Sequence, residues 1–142
     1  MNTSFERCAN TTDEWYTPKW IIDSLGEFDL DPCSPENRLW DTAKRHITPQ
    51  EDGLKTSWGG VRVWLNPPYS RPLIERFVEK MVANNNGIAL LFNRCDSKMF
   101  QDLIFPNASA ILFVRGRIKF GIPDGTQGDS PGLSLIHISE PT

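Results

Sequence analysis

Residues 66–69 read Asn-Pro-Pro-Tyr and follow the apolar run "VRVWL". Proline fixes its own φ and restricts the residue before it, so two in succession hold the backbone nearly immobile. Neither proline has an N–H, yet both keep a carbonyl acceptor. Asn66 adds a side-chain carbonyl. Two acceptors at a fixed separation suit an –NH2 group, which has two hydrogens to donate. Tyr69 supplies a flat face on which a planar group can stack. The corner Asn66, Pro67, Pro68 and Tyr69 is therefore suited to gripping an exocyclic amine on a planar ring. A proline-stiffened loop with a packed tyrosine would carry the same four letters, so the flanking elements matter.

"VRVWL" has the apolar beat of a strand, and Asn66 sits where that strand should end. In an open α/β sheet, ligands bind just beyond the carboxyl ends of strands. Upstream, "TPKWIIDSLGEF" predicts a helix. Thr17 can cap it, Pro18 fits its first turn, and Trp20, Ile21, Leu25 and Phe28 fall on one face, with Gly26 ending it. "FDLDP" predicts a short strand stopped by Pro32. Residues 33–58 read as irregular, with one helical turn near Arg38 to Lys44. "RPLIERFVEKMVAN" has helical spacing through Leu73, Phe77 and Met81, and "NNNG" closes it. "GIALLF" is a strand apolar on both faces, as in a covered parallel sheet. "SKMFQDLIF" predicts a short helix, "AILFV" a buried strand, "GRIKF" a short strand or hairpin arm, and "GIPDGTQGDSPG" a loop. Strands alternating with helices predict one α/β domain with a mostly parallel sheet.

The 142-residue chain carries 39% hydrophobic and 23% charged residues, the balance of an ordinary globular domain. No stretch approaches the roughly 20 apolar residues that span a bilayer. No signal peptide is visible at the start of the chain. Three cysteines, Cys8, Cys33 and Cys95, are widely spaced and odd in number, which predicts a reducing compartment without a disulfide framework or zinc knuckle. With only two histidines, a histidine-based metal site is not expected. The net charge of −3 means that any nucleic-acid contact must come from a local basic patch.

Two segments accompany the corner. Thr17-Pro18 stands at a helix start, and Asp31-Pro32 stands at a strand end; "QEDGL" then places Asp52 ahead of the central strand. Each also has a local reading, Thr17 as a helix cap, Asp31 and Asp52 as turn formers. Together, "DEWYTPKWIIDSLGEFDLDPCSP", "EDGL", "VWLNPPYS", "GIALLFNRCDSKMFQ" and "LFVRGRIKF" resemble the phage-type, Dam-like DNA N6-adenine methyltransferases. The resemblance runs over nearly the whole chain up to about Gly132. It implies a compact Rossmann-like methyltransferase core, S-adenosylmethionine as methyl donor, adenine in DNA as acceptor, and a cytoplasmic setting in a bacterial host. By the same resemblance Asn66, Pro67, Pro68 and Tyr69 are catalytic, while Thr17, Pro18, Asp31, Pro32 and Asp52 are cofactor-side. No metal or membrane is implied.

The chain departs from a usual methyltransferase core in two places. "DPCSPENR" has Cys33 and Pro35 where a Gly-rich turn is expected, and the short interval from Asp31 to Asp52 leaves Asp41 as the one candidate for a ribose-binding acid. On the nucleic-acid side, Arg94 just past "GIALLF" and the alternating Arg115, Arg117 and Lys119 form the candidate phosphate patch, with Arg71 able to join it. An Arg94–Asp96 ion pair is the competing reading. Among the five tryptophans, Trp15 and Trp58 are the candidates for lining a ligand site, and Cys33 reads as a small buried residue.

The final residues, "LSLIHISEPT", match the in-frame translation of a transposase-type sequencing adapter. Residues 133–142 are therefore set apart from a domain of residues 1–132, whose last strand is expected to be cut short. Two further functions remain open: methylation of a protein glutamine amide, and a catalytically inactive, truncated nucleic-acid-binding fragment.

Overall fold

A computed structural model describes residues 16–116, 118–121, 127–129 and 134–139. Helix α1 is Lys19–Leu25, followed by strand β1 (Leu30–Asp31), β2 (Arg45–His46), β3 (Val63–Leu65), helix α2 (Leu73–Asn84) and β4 (Gly87–Phe92). A π-helical turn, Phe100–Ile104, runs into the short helix α3 (Phe105–Asn107), and strands β5 (Ala110–Phe113), β6 (Lys119–Gly121), β7 (Gln127–Asp129) and β8 (Ser134–Ser139) follow. One sheet has the order β2-β1-β3-β4-β8-β5, and β6 and β7 form a separate antiparallel hairpin. Strands β1 to β4 are mutually parallel, and β8 runs antiparallel to both β4 and β5. The predicted α/β architecture with a mostly parallel sheet is the one observed.

Alternation along the central strands divides the core into two layers. Val63, Leu65, Ala89 and Leu91 face Phe77, Val78 and Met81 of α2, together with Phe100 and Ile104. Trp64, Ile88, Leu90 and Phe92 face Ile21 and Ile22 of α1, with Phe28 and Ile118. Successive strand residues point to opposite faces, so "VWL" and "GIALLF" feed both layers at once. All six residues of β4 are buried. Asn85 closes α2 in the left-handed conformation at φ 54°, as "NNNG" predicts.

Several elements differ from the sequence reading. Thr17 does not cap α1: Pro18 holds the cap position without a side-chain bond, and the Thr17 hydroxyl is used elsewhere. Trp20 is 58% exposed, because a helix this short buries only Ile21 and Ile22. No helical turn forms at residues 38–44; the chain bends there and returns as β2, parallel to β1. The strand predicted in "AILFV" lies at the sheet edge rather than inside, with Leu112 and Phe113 exposed. Within the segment set apart on sequence, Ser134–Ser139 forms an interior antiparallel strand that pairs in full with Gly87–Phe92. Leu135, Ile136 and Ile138 give this segment strand-forming residues that suit such a slot whatever its origin. Among the described residues no helix is long and apolar enough to cross a membrane.

Candidate active site

The chain leaves β1 for β2 on one side and reaches β3 on the other, so the strand order reverses between β1 and β3. That reversal point, beyond the carboxyl ends of the strands, is the ligand crevice of open α/β sheets. A cavity of about 930 Å³ occupies it, lined by Pro32–Pro35 after β1, Asn66 and Pro68 after β3, the Asp52–Lys55 loop and one side of α2. Its volume lies in the roughly 300–1,000 Å³ range of small-molecule and cofactor pockets.

The proline corner is held from behind. Trp64, fully buried in β3, donates its indole N–H to Thr17 Oγ1 at 3.0 Å. Asn66 Nδ2 donates to the same oxygen at 3.1 Å. Thr17 itself is buried, and its backbone carbonyl accepts from Trp40 Nε1 at 2.9 Å. Thr17 and Pro18 thus stand behind Asn66 and do not line the cavity. Pro67 is buried, while Asn66 and Pro68 face the cavity.

Tyr69 is fixed by the uneven lengths of β3 and β4. Strand β3 stops pairing at Leu65, opposite Ala89, but β4 continues to Phe92. The Tyr69 hydroxyl takes up the ladder groups β3 leaves behind, donating to the Leu90 carbonyl at 3.1 Å and accepting from the Phe92 N–H at 3.1 Å. Its ring stacks on Phe92, with centroids 3.9 Å apart and planes 7° from parallel. Burial pushes its hydroxyl well above the usual phenol range, despite the Phe92 N–H and the nearby Arg94 charge. The ring is a fixed, neutral platform packed against both core layers, and it is not one of the residues lining the cavity.

Asp31, at the end of β1, lies behind the Pro32–Pro35 turn that lines the other side and is not itself a lining residue. It is buried, and its carboxylate accepts from the Cys33 N–H at 3.1 Å and from the Thr42 hydroxyl. The His46 ring orients Thr42, with Nε2 accepting the Thr42 N–H at 3.1 Å. Desolvation outweighs the two hydrogen bonds and the Arg38 charge, so the Asp31 carboxyl is pushed up to about 6. Burial and the neighbouring Asp31 also raise the Cys33 thiol, which keeps it protonated and unsuited to nucleophilic chemistry.

The third wall is the Asp52–Lys55 loop. Asp52 adopts φ 63°, and its carboxylate accepts the Leu54 N–H at 3.0 Å, making a tight turn. Gly53 passes beneath the turn after β1 so closely that a Cβ there would lie 2.2 Å from the Pro32 carbonyl oxygen. Lys80 of α2 donates to the carbonyls of Leu54 and Thr56 at 2.7 Å each and sits 5.4 Å above the Trp58 ring. Trp58 is therefore a support, donating to the Gly53 carbonyl at 2.9 Å, and does not line the cavity. Lys80 and Gly53 were not singled out on sequence. The Asp-Gly pair was a usable turn signal for Gly53, whereas the role of Lys80 depends on how α2 packs.

The remaining candidates are spread out. Asp41 is exposed, tied to Arg38 at 2.9 Å and held below the usual carboxylate range by it; it does not reach the cavity. Arg94 is exposed at the end of β4, close enough for its charge to act on the Tyr69 hydroxyl, and no ion pair joins it to Asp96. Arg115 lies in a bend before Gly116, at φ 73°, so it does not share a strand with Lys119 in β6. Arg71 is paired with Glu75 at 3.6 Å. Arg117 and Trp15 lie outside the described residues. Among the described residues no group of three His, Cys, Asp or Glu side chains is placed to hold a metal.

A mostly parallel sheet with a cavity at its reversal point, onto which Asn66 and Pro68 open, is the architecture of a methyltransferase-like α/β core. Comparison with known proteins narrows the class. Residues 6–136 match the family described as DNA N-6-adenine-methyltransferase (Dam), and the chain belongs to that family. It is 34% identical over 128 residues to the DNA N-6-adenine-methyltransferase of Haemophilus phage HP1 (strain HP1c1), covering 84% of this chain and 73% of the relative. It is 31% identical over 132 residues to the protein of the same name from Escherichia phage T1, covering 87% of this chain and 54% of that protein. No solved structure matches.

Proposed function

We propose that the protein transfers a methyl group from S-adenosylmethionine to the exocyclic N6 of adenine in DNA. The observation that carries this reading is Asn66 at the end of β3, its amide tied back to Thr17 and its residue facing the cavity at the sheet's reversal point. Family membership and the names of the two phage relatives support the choice of adenine over a glutamine amide.

The cavity suits the donor chemically. Asp31 is a buried carboxylate incompletely compensated by its neighbours, directly before the four residues that line one end, and a ligand ammonium there would complete its charge balance. Leu54, Leu73 and Phe77 provide apolar wall, and Asp52 a polar acceptor for an amine. S-adenosylmethionine supplies, when bound, an electrophilic methyl on a sulfonium.

The chain's own part is positioning and electrostatics. The aniline-like nitrogen of adenine is a weak nucleophile because its lone pair is conjugated with the ring. Asn66 Oδ1 and a backbone carbonyl of the Pro67-Pro68 corner accept its two N–H bonds. This favours the pyramidal nitrogen of the transition state over the planar ground state. Tyr69, braced by Phe92 on one face, takes the extruded base on the other. Arg94, Arg115, Arg117 and Lys119 are the residues proposed for phosphate contacts. The methyltransferase domain is read as residues 1–132, with Ser134–Ser139 of the following segment filling a strand slot. Transfer of labelled methyl from S-adenosylmethionine to adenine-containing DNA, followed by nucleoside analysis, tests the reading: N6-methyladenine supports it, and label on protein glutamine alone refutes it.

A further inference from the structure

We infer that His46 is a positioning residue for the cavity: by accepting the Thr42 N–H, its ring holds the Thr42 hydroxyl on Asp31 and, through Asp31, sets the turn that walls the cavity. The inference rests on the reading of that cavity as the S-adenosylmethionine site. His46 lies in β2, in register with Asp31 of the parallel strand β1. Neither His46 nor Thr42 lines the cavity, so the effect on the ligand is indirect.

Each bond of the chain can run in one direction only. A backbone N–H can only donate, so His46 Nε2, 3.1 Å from the Thr42 nitrogen, must carry a lone pair. The imidazole is therefore neutral, with its proton on Nδ1. Burial and the Arg38 charge hold it below the usual imidazole range, against the opposing charge of Asp41, which keeps it an acceptor at neutral pH. The Asp31 carboxyl is ionised there and can only accept, so the Thr42 hydroxyl donates to one of its oxygens. The other oxygen receives the Cys33 N–H at 3.1 Å. Cys33 belongs to the Pro32–Pro35 wall of the cavity. Its neighbour Ser34 ties the same turn to β2, donating its N–H to the Ile47 carbonyl at 3.1 Å. Asp31 and Thr42 are both buried, so a lost partner is costly to replace.

The test compares His46→Phe, which keeps a ring and removes the acceptor, with His46→Gln, which returns an acceptor near the position of Nε2. In the protein without cofactor, nitrogen NMR should find the His46 proton on Nδ1. The Asp31 carboxyl, followed by carbon NMR, should titrate about one pH unit higher in His46→Phe and as in wild type in His46→Gln. Thr42→Val removes the hydroxyl and should raise the same titration; adding His46→Phe to it should move it no further, because His46 acts through that hydroxyl. With S-adenosylmethionine at neutral pH, calorimetry should show affinity roughly tenfold lower in His46→Phe and recovered in His46→Gln, with DNA binding unchanged in both. If His46→Phe does not fold, acid removes the same acceptor from the wild-type chain: the Thr42 amide resonance should shift where His46 protonates, and hold still there in His46→Gln. A ring proton on Nε2, an Asp31 titration or Thr42 amide that ignores the loss of the acceptor, or no rescue by glutamine would each overturn the inference. If the wild-type chain binds no S-adenosylmethionine, the reading of the cavity fails, and the ring proton and the Asp31 titration still decide the His46–Thr42–Asp31 chain.

Discussion

Asp31→Asn should make the protein more stable at neutral pH, although it removes a buried charged group directly before the cavity-lining turn. The Asp31 carboxyl titrates at about 6 in the folded chain, against 3.8 as its ordinary value. Below that ordinary value the group is protonated in both states and has no effect. Across the window from 3.8 to about 6, the folded chain keeps a proton that the unfolded chain releases, so stability falls as pH rises. Above about 6 the whole penalty is present. At about 1.4 kcal/mol per pH unit, charging Asp31 costs about 3 kcal/mol of folding stability. Asparagine fits the same bonds: its oxygen can accept the Cys33 N–H, and its NH2 can donate to the Thr42 hydroxyl. Urea unfolding of both proteins between pH 4 and pH 8 provides the assay, because the difference between the two curves isolates this group from the other carboxylates. The variant should equal wild type at the acid end and exceed it by about 3 kcal/mol at pH 7.5. Cofactor affinity should rise from pH 5 to 7 in wild type and show no such rise in the variant. Parallel stability profiles, or a variant weaker than wild type at pH 7.5, would refute the reasoning.

Tyr69→Phe keeps the stack on Phe92 but strands the Leu90 carbonyl and the Phe92 N–H; a loss of roughly 1–3 kcal/mol in chemical denaturation is expected. Lys80→Met removes both bonds to the Leu54 and Thr56 carbonyls, and calorimetry should show cofactor affinity reduced roughly tenfold with little change for DNA. Gly53→Ala drives a methyl into the Pro32 carbonyl, so thermal melting should show a loss of about 1–3 kcal/mol. Arg94→Ala should weaken DNA binding on all sequences alike and make the salt dependence shallower by about 0.9 in log–log slope, which titrations at several salt concentrations measure.

The sequence alone determined those features that depend on local rules. The apolar runs "VWL" and "GIALLF" marked buried strands, Asn85 marked the end of α2, and Gly26 the end of α1. The Asn-Pro-Pro-Tyr corner was legible because proline rigidity and hydrogen-bonding capacity belong to the residues themselves. Tertiary structure decided which groups those residues meet. Thr17 reads as a helix cap until β3 brings Trp64 and Asn66 to its hydroxyl. Tyr69 reads as a loose stacking face until the extra length of β4 supplies both partners for its hydroxyl. Lys80 looks like a solvated helix residue until α2 packs beside the Asp52 loop. Even the burial of "AILFV" depended on its place at the sheet edge, which apolarity cannot announce. Periodicity and turn chemistry act over a few residues, whereas the orientation of a side-chain amide and the charge of a buried acid depend on atoms brought together from distant parts of the chain.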